Sequence, residues 1–195
     1  FKMSKNILVY CGSSAGFDPI YEQEVKKLAA ALIKKEATII FGAGSVGLMG
    51  ILADEYIRLG GKCIGIIPSF MEPWEVKHKG IQECIVTESM HERKQKMAEL
   101  ADGVLTLPGG WGSMDELFEI LTWKQLDLHQ MPVGLLNING YYDHLIAQMN
   151  HMIKEGFLKE RNLSALHIEN DPESMVDWVM QYEPEKMEKK WIYRG

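Results

Sequence analysis

The sequence predicts a doubly wound α/β fold, a parallel sheet with helices packed on both faces. Three observations carry that expectation. Short runs rich in β-branched residues alternate with longer helical runs along most of the 195 residues. The short runs are continuously apolar rather than alternating, which is how strands read when both faces of their sheet are covered. Glycine and serine collect where an apolar run passes into a helical one, the position at which such sheets bind ligands.

In chain order the runs are NILVYC (strand), PIYEQEVKKLAAALIKK (helix), ATIIFG (strand), VGLMGILADEYIRLG (helix) and KCIGIIP (strand). They continue with ECIVTE (strand), MHERKQKMAELA (helix), GVLTLP (strand), SMDELFEILTWKQLDL (helix), PVGLLNI (strand) and YYDHLIAQMNHMIKEG (helix). After Gly156 the pattern weakens to a strand near Leu166–Ile168 and a helix from about Pro172 to Tyr182. No repeat or Pro-rich linker divides the chain, so residues 3–183 are expected to form one domain, with residues 184–195 as a charged, loosely held tail. Phe1 and Lys2, ahead of Met3, are left out of the fold.

A net charge of −6 and a pI near 5.6 leave no basic stripe for nucleic acid or an acidic membrane and favour a small-molecule ligand. Cys11, Cys63 and Cys84 are odd in number and sit far apart in apolar runs, which suggests reduced thiols in a cytoplasm rather than a disulfide framework. The six histidines show no metal-ligand spacing. The start lacks a long apolar segment and no later run approaches a membrane span, so neither a signal peptide nor a transmembrane helix is expected.

Three loops at strand ends are candidates for ligand binding. In CGSSAGFDP, Gly12, Ser13 and Ser14 are small enough for a polar ligand to approach the backbone, and Asp18-Pro19 can open a helix. FGAGSVGLMG places Gly42, Gly44 and Gly47 at the G-x-G-x-x-G spacing. A dinucleotide site also needs an acid at the end of the following strand, but that strand ends IIPSF, and no GKS or GKT marks a triphosphate loop. LPGGWGSMDE is the most specific: Gly109, Gly110 and Gly112 can point backbone N–H groups at one spot ahead of a helix, and Ser113 adds a hydroxyl. The same residues read equally well as an S-x-x-E capping box, with Glu116 bonding only to the cap backbone.

The helix MHERKQKMAELA adds a second signal. Met90, Met97 and Ala101 mark its apolar line, and Arg93 and Lys94 fall between the two methionines at the third and fourth positions, so at least one cation should point inward. A buried guanidinium requires an anionic partner, either a carboxylate or a phosphate. His91 and Glu92 belong on the solvent side.

SMHERKQKM followed by LPGGWGSMDE resembles the paired signature of the Lonely Guy family, the cytokinin riboside 5′-monophosphate phosphoribohydrolases, whose motif is PGGxGTxxE with an upstream Arg-Lys helix. The likeness runs from VYCGSS through FGAGSVGLMG to LTWKQLDLHQMPVGLLNINGYYD. It implies a Rossmann-like homodimer that needs no cofactor and hydrolyses the N-glycosidic bond of an adenine nucleoside monophosphate. It further implies that Arg93 and Glu116 are catalytic and that Gly109, Gly110, Gly112 and Ser113 hold phosphate. Gly12, Ser13, Gly44, Arg93 and Lys94 join the expected phosphate and nucleotide contacts, with Met90 and Met97 as walls of the base pocket. Ser113 stands where the family has Thr, and Ala43 interrupts what is usually a glycine triplet. Members have also carried a lysine decarboxylase label, but no Schiff-base lysine with cofactor partners is recognisable here.

Glu116 is thereby the candidate to stabilise positive charge on the ribose and to aim water, as carboxylates do in glycoside hydrolysis. A non-catalytic carrier of a nucleotide or molybdopterin-like cofactor is the alternative, and it would not require Glu116 together with Arg93. On the helix after the PGGWGS loop, Leu117, Phe118 and Leu121 are expected to face the sheet. Ile120, Trp123 and Leu126 then form a second apolar strip suited to a homodimer.

Overall fold

Seven aliphatic stretches pair side by side; the five inner ones are buried on both faces, as strands of a covered parallel sheet must be, and the two edge strands are partly exposed. They are β1 (Asn6–Tyr10), β2 (Thr38–Phe41), β3 (Lys62–Pro68), β4 (Glu83–Thr87), β5 (Gly103–Thr106), β6 (Val133–Leu136) and β7 (Leu166–Glu169). The computed structural model describes residues 4–71 and 77–184. Its sheet is parallel throughout, in the order β4-β3-β2-β1-β5-β6-β7. The order reverses between β1 and β5, and a crevice opens at the carboxyl ends of strands at such a switch point.

The helices are α1 (Ile20–Lys34), α2 (Gly47–Arg58), α3 (Met90–Leu100), α4 (Trp111–Gln125), α5 (Asp143–Lys154), α6 (Glu160–Leu163) and α7 (Pro172–Gln181). Ile7 and Val9 of β1 pack with residues of α1, α2 and α7 on one side of the sheet. Leu8 and Tyr10, pointing the other way, pack with Met97 of α3, Leu117 and Ile120 of α4 and Met149 of α5. Two buried layers around one sheet bear out the doubly wound expectation. Each expected strand and helix is present; α6 and two short 3₁₀ turns, Ser69–Met71 and Ile138–Gly140, were not expected. The charged tail from residue 185 onward lies outside the described residues.

The α4 register differs from the sequence reading. The helix begins at Trp111 rather than Ser113, with Gly110 as its N-cap. Ser113, Glu116, Leu117 and Ile120 therefore form one i, i+3, i+4, i+7 stripe, and Leu117 and Ile120 are buried in the core. Phe118 falls off that stripe and is 37% exposed, so Ile120, not Phe118, faces the sheet. Trp123 packs partly against the same core, while Leu126 is exposed.

Candidate active site

At the switch point the three Gly-rich loops interlock. The Gly12 N–H donates to the Pro108 carbonyl at 3.0 Å, and the Gly12 carbonyl accepts from the Leu48 N–H at 3.0 Å. A Cβ on Gly109 would lie 2.1 Å from Ser113 Oγ, so the approach of loop to helix requires glycine there. Gly47, at φ +62°, would bring a Cβ within 2.2 Å of the Ser13 backbone. Tyr141 braces the arrangement from outside, its hydroxyl donating to the Gly109 carbonyl at 2.7 Å. Gly12, Ser13, Gly109 and Ser113 are thus brought together at the mouth of the crevice.

The start of α4 has no side-chain cap: neither Gly110 nor any other side chain accepts a bond from its first N–H groups. A Cβ on Gly110 or Gly112 would meet only open space, so this helix end is accessible. An uncapped, accessible helix N-terminus attracts anions through its free donors and its dipole. Ser113 is buried inside the first turn, where its hydroxyl makes no hydrogen bond among the described residues.

This geometry removes the capping-box reading. Glu116 lies in the second turn of α4, beyond reach of a cap. The S-x-x-E signature operates instead at α3, where Ser89 Oγ accepts from the Glu92 N–H at 3.1 Å and Glu92 Oε2 accepts from the Glu88 N–H at 2.7 Å. Sequence spacing alone could not separate the two motifs, because both have the right residues ahead of a helix.

Two cations of α3, Arg93 and Lys94, are buried, with different partners. Arg93, 6% exposed, donates from Nε to the Ile66 carbonyl and from Nη2 to the Gly42 carbonyl, each at 3.0 Å, while Nη1 lies 3.9 Å from Met90 Sδ. No carboxylate lies within 4.0 Å of it among the described residues, so carbonyl dipoles hold the group in place without neutralising its charge. Gly42 is glycine for this reason: a Cβ there would sit 2.2 Å from Arg93 Nη2. The G-x-G-x-x-G pattern flagged Gly42 but gave no sign of that partner.

Lys94 is committed elsewhere. Its Nζ pairs with Asp115 Oδ2 at 2.9 Å and Glu119 Oε1 at 3.1 Å, tying α3 to α4. Burial opposes its charge, yet hydrogen bonds to Asp115 and Glu119 hold its pKa above the ordinary lysine value. The structure therefore gives Lys94 two carboxylate partners where a nucleotide contact was expected. A Schiff-base lysine needs the opposite shift. His91 and Glu92 are exposed, as expected.

The carboxyl of Glu116 is pushed up to about 7. Burial is the main cause; Arg93 opposes it, Asp115 adds to it, Lys94 opposes and Glu119 adds. A carboxyl poised near neutrality in a crevice is suited to taking and returning protons. Of the two methionines, Met90 touches Arg93 at the site, whereas Met97 is 1% exposed and packed in the core. A side chain with no free surface cannot wall an open pocket, so Met97 serves the core.

In the second loop, Ala43 adopts φ +64°, a left-handed conformation that favours glycine, and its carbonyl accepts from the His78 N–H at 3.0 Å. Alanine accepts some strain to keep this turn, one that glycine would adopt freely. Gly44 bridges to Lys77 beside it. Among the described residues, no group of three or more His, Cys, Asp or Glu side chains converges to hold a metal ion, and no helix is long and apolar enough to cross a membrane.

A family model described as "possible lysine decarboxylase" matches residues 49–179. The cytokinin riboside 5′-monophosphate phosphoribohydrolase LOG7 of Arabidopsis thaliana is 37% identical over 181 residues, covering 93% of this chain and 83% of that protein. A probable enzyme of the same name from Oryza sativa subsp. japonica, LOGL1, is 41% identical over 153 residues, covering 78% and 69%. Among solved structures, the molybdenum cofactor binding protein of Rippkaea orientalis is similar with a TM-score of 0.70 at 18% identity, covering 92% of this chain and 98% of that one, a likeness of fold alone. The buried Arg93, the open PGGWGS helix end and these relatives, matched over most of their length, agree: the chain belongs to the Lonely Guy family, whose model carries the lysine decarboxylase description.

Proposed function

We propose that the protein is a phosphoribohydrolase that cleaves the N-glycosidic bond of adenine nucleoside 5′-monophosphates, cytokinin ribotides included, to free base and ribose 5-phosphate. The observation that carries this reading is the Glu116 carboxyl, poised near neutrality one helical turn beyond an open anion site. The substrate phosphate docks on the N–H groups of Gly110, Trp111 and Gly112, with Ser113 beside them. This contact, remote from the reacting bond, fixes the ribose against Glu116. As C1′–N9 breaks, positive charge grows on the ribose ring and the carboxylate stabilises it. Glu116 takes a proton from the attacking water, whose oxygen bonds to C1′. Adenine leaves with the bonding electron pair, and the protonated carboxyl is then a donor for it. Arg93 favours the charged form of Glu116 and offers its positive charge to the nucleotide, and Met90 lies against the base.

Incubation with AMP, N6-isopentenyl-AMP and adenosine, followed by chromatography for free base, tests the reading. Base is expected from both monophosphates, with adenosine cleaved at least about a hundredfold less efficiently, because it lacks the group the loop binds. Equal kcat/KM on AMP and adenosine would remove the phosphate loop from the mechanism. A nucleotide bound but never cleaved would favour carriage over hydrolysis.

We further propose a homodimer in the cytoplasm. Trp111, Leu126 and Leu128 are 93%, 61% and 68% exposed on and just after α4, with Phe118 between them, more apolar surface than one helix leaves to water without a partner. Light scattering at micromolar concentration is expected to give twice the chain mass and, for Phe118→Asp, the single mass. A monomer in the unsubstituted protein overturns the proposal. The cytoplasm is suggested by three free cysteines, two of them buried.

A further inference from the structure

We propose that Tyr10 is a positioning residue for Glu116: its phenolic O–H donates a hydrogen bond to the carboxylate when Glu116 ionises, holding it toward the substrate. The inference rests on the hydrolase reading for its catalytic meaning, but the contact itself can be tested without turnover. It starts from an exception among the buried tyrosines. The hydroxyls of Tyr56 and Tyr142 each donate to a backbone carbonyl, those of Ala37 and Leu107 respectively. Tyr10 is 3% exposed, yet its hydroxyl makes no hydrogen bond among the described residues. An unpaired hydroxyl that keeps a little free surface at a strand end is a donor available to an acceptor close by.

The fold indicates which partner. Tyr10 is the last residue of β1, on the side of the sheet that packs with Leu117 and Ile120 of α4. Those two share their helix stripe with Glu116. In the β1–β5 register Tyr10 stands beside Thr106, whose Oγ1 is buried without a partner among the described residues. Two unpaired hydroxyls thus lie in one layer at the strand ends, on the α4 side.

The charged groups facing this layer are Arg93 and Lys94 from α3 and Asp115, Glu116 and Glu119 from α4. Burial first, then the charges of Glu116 and Glu119, push the Tyr10 phenol far up; Arg93 opposes and Asp115 adds. The neighbouring Cys11 thiol, on the other side of β1, is also pushed up, by burial and then by Glu116. Both groups therefore stay protonated at neutral pH, and the phenol, the stronger donor, is on the Glu116 side. Donation to the ionised carboxylate favours its charged form and lowers its pKa relative to a site without the donor.

The test is Tyr10→Phe, which removes one unpaired oxygen and keeps the ring, so the fold is expected to survive, as urea unfolding will show. The Glu116 carboxyl is followed by NMR titration of the full chain labelled at glutamate carboxyl carbon, with its resonance assigned by loss in Glu116→Gln. In Tyr10→Phe its midpoint should rise by about one pH unit, a tenfold change in proton affinity, and the acidic limb of kcat on AMP should rise with it. Thr106→Val, in the same layer but without a partner to lose, should leave both unmoved. If AMP is hydrolysed but neither midpoint nor limb moves in Tyr10→Phe, Tyr10 is core packing and the proposal falls. If the midpoint moves but the unsubstituted protein releases no base, the contact stands and the hydrolase reading fails.

Discussion

Replacing Glu116 by Gln should lower kcat on AMP by at least about a hundredfold while leaving the protein folded and able to bind nucleotide. The amide keeps the shape of the side chain but can neither stabilise positive charge on the ribose nor take a proton from water. Because Glu116 makes no cap bond, no capping energy is lost. Stability should respond to pH in a defined direction. A carboxyl pushed up to about 7 in the folded protein binds a proton that the unfolded chain, with its ordinary value near 4.5, has already released. The unsubstituted protein should therefore lose stability as pH rises from about 4.5 to about 7, whereas Gln at this position has no such loss. Above neutrality the variant is expected to be at least as stable as its parent, measured by urea unfolding at several pH values. For the parent, kcat should rise with pH through about 7 as Glu116 ionises, and a bound phosphate dianion moves that limb further up. Near-parental turnover by Glu116→Gln would remove the central residue from the mechanism.

Arg93→Lys is expected to cost a similar factor, about a hundredfold or more, the scale seen when one aimed donor is lost from a charge-stabilising site. The guanidinium uses a planar fork to reach the Ile66 and Gly42 carbonyls at once, and an ammonium on a flexible stem cannot reproduce that geometry. A carbonyl left without its donor costs about 1–3 kcal/mol, a loss that a domain of typical stability survives. Activity should thus fall with the fold retained, as circular dichroism and steady-state kinetics on AMP would show. Gly42→Ala is an independent check, since its methyl would lie 2.2 Å from Nη2 and displace the guanidinium without removing its charge. It should reproduce the activity loss of Arg93→Lys. Full activity in both variants would make Arg93 a structural cation.

Much of this was legible along the chain. Runs such as TIIF and GVLT are apolar without alternation, and that excludes a strand with one wet face, so the parallel sheet and its helical layers followed from local composition. The inward turn of Arg93 followed from its spacing to Met90 and Met97, because helical periodicity is a local property. Gly109 and Ser113 were legible for the same reason: a strand run, a Gly-rich turn and a helix lie consecutively.

Other features depended on distances between residues far apart in sequence. Whether Glu116 caps a helix or faces the crevice turned on where α4 begins, and that was decided by the packing of Leu117 and Ile120 against the sheet. The different roles of two adjacent cations were set by partners 21 to 51 residues away: Asp115 for Lys94, Gly42 and Ile66 for Arg93. Met97 looked like a pocket wall from its place beside Arg93 and proved to be core once β1 and α4 were in position around it. The unpaired hydroxyls of Tyr10 and Thr106 were invisible in sequence, since an unmet hydrogen bond is a property of the surroundings. For this protein, then, composition and periodicity determined the elements and which residues face inward, because both act within a few residues of chain. Only the tertiary structure decided which inward groups are neutralised, which are packed and which are left to meet a ligand, because charge and hydrogen bonding act across space.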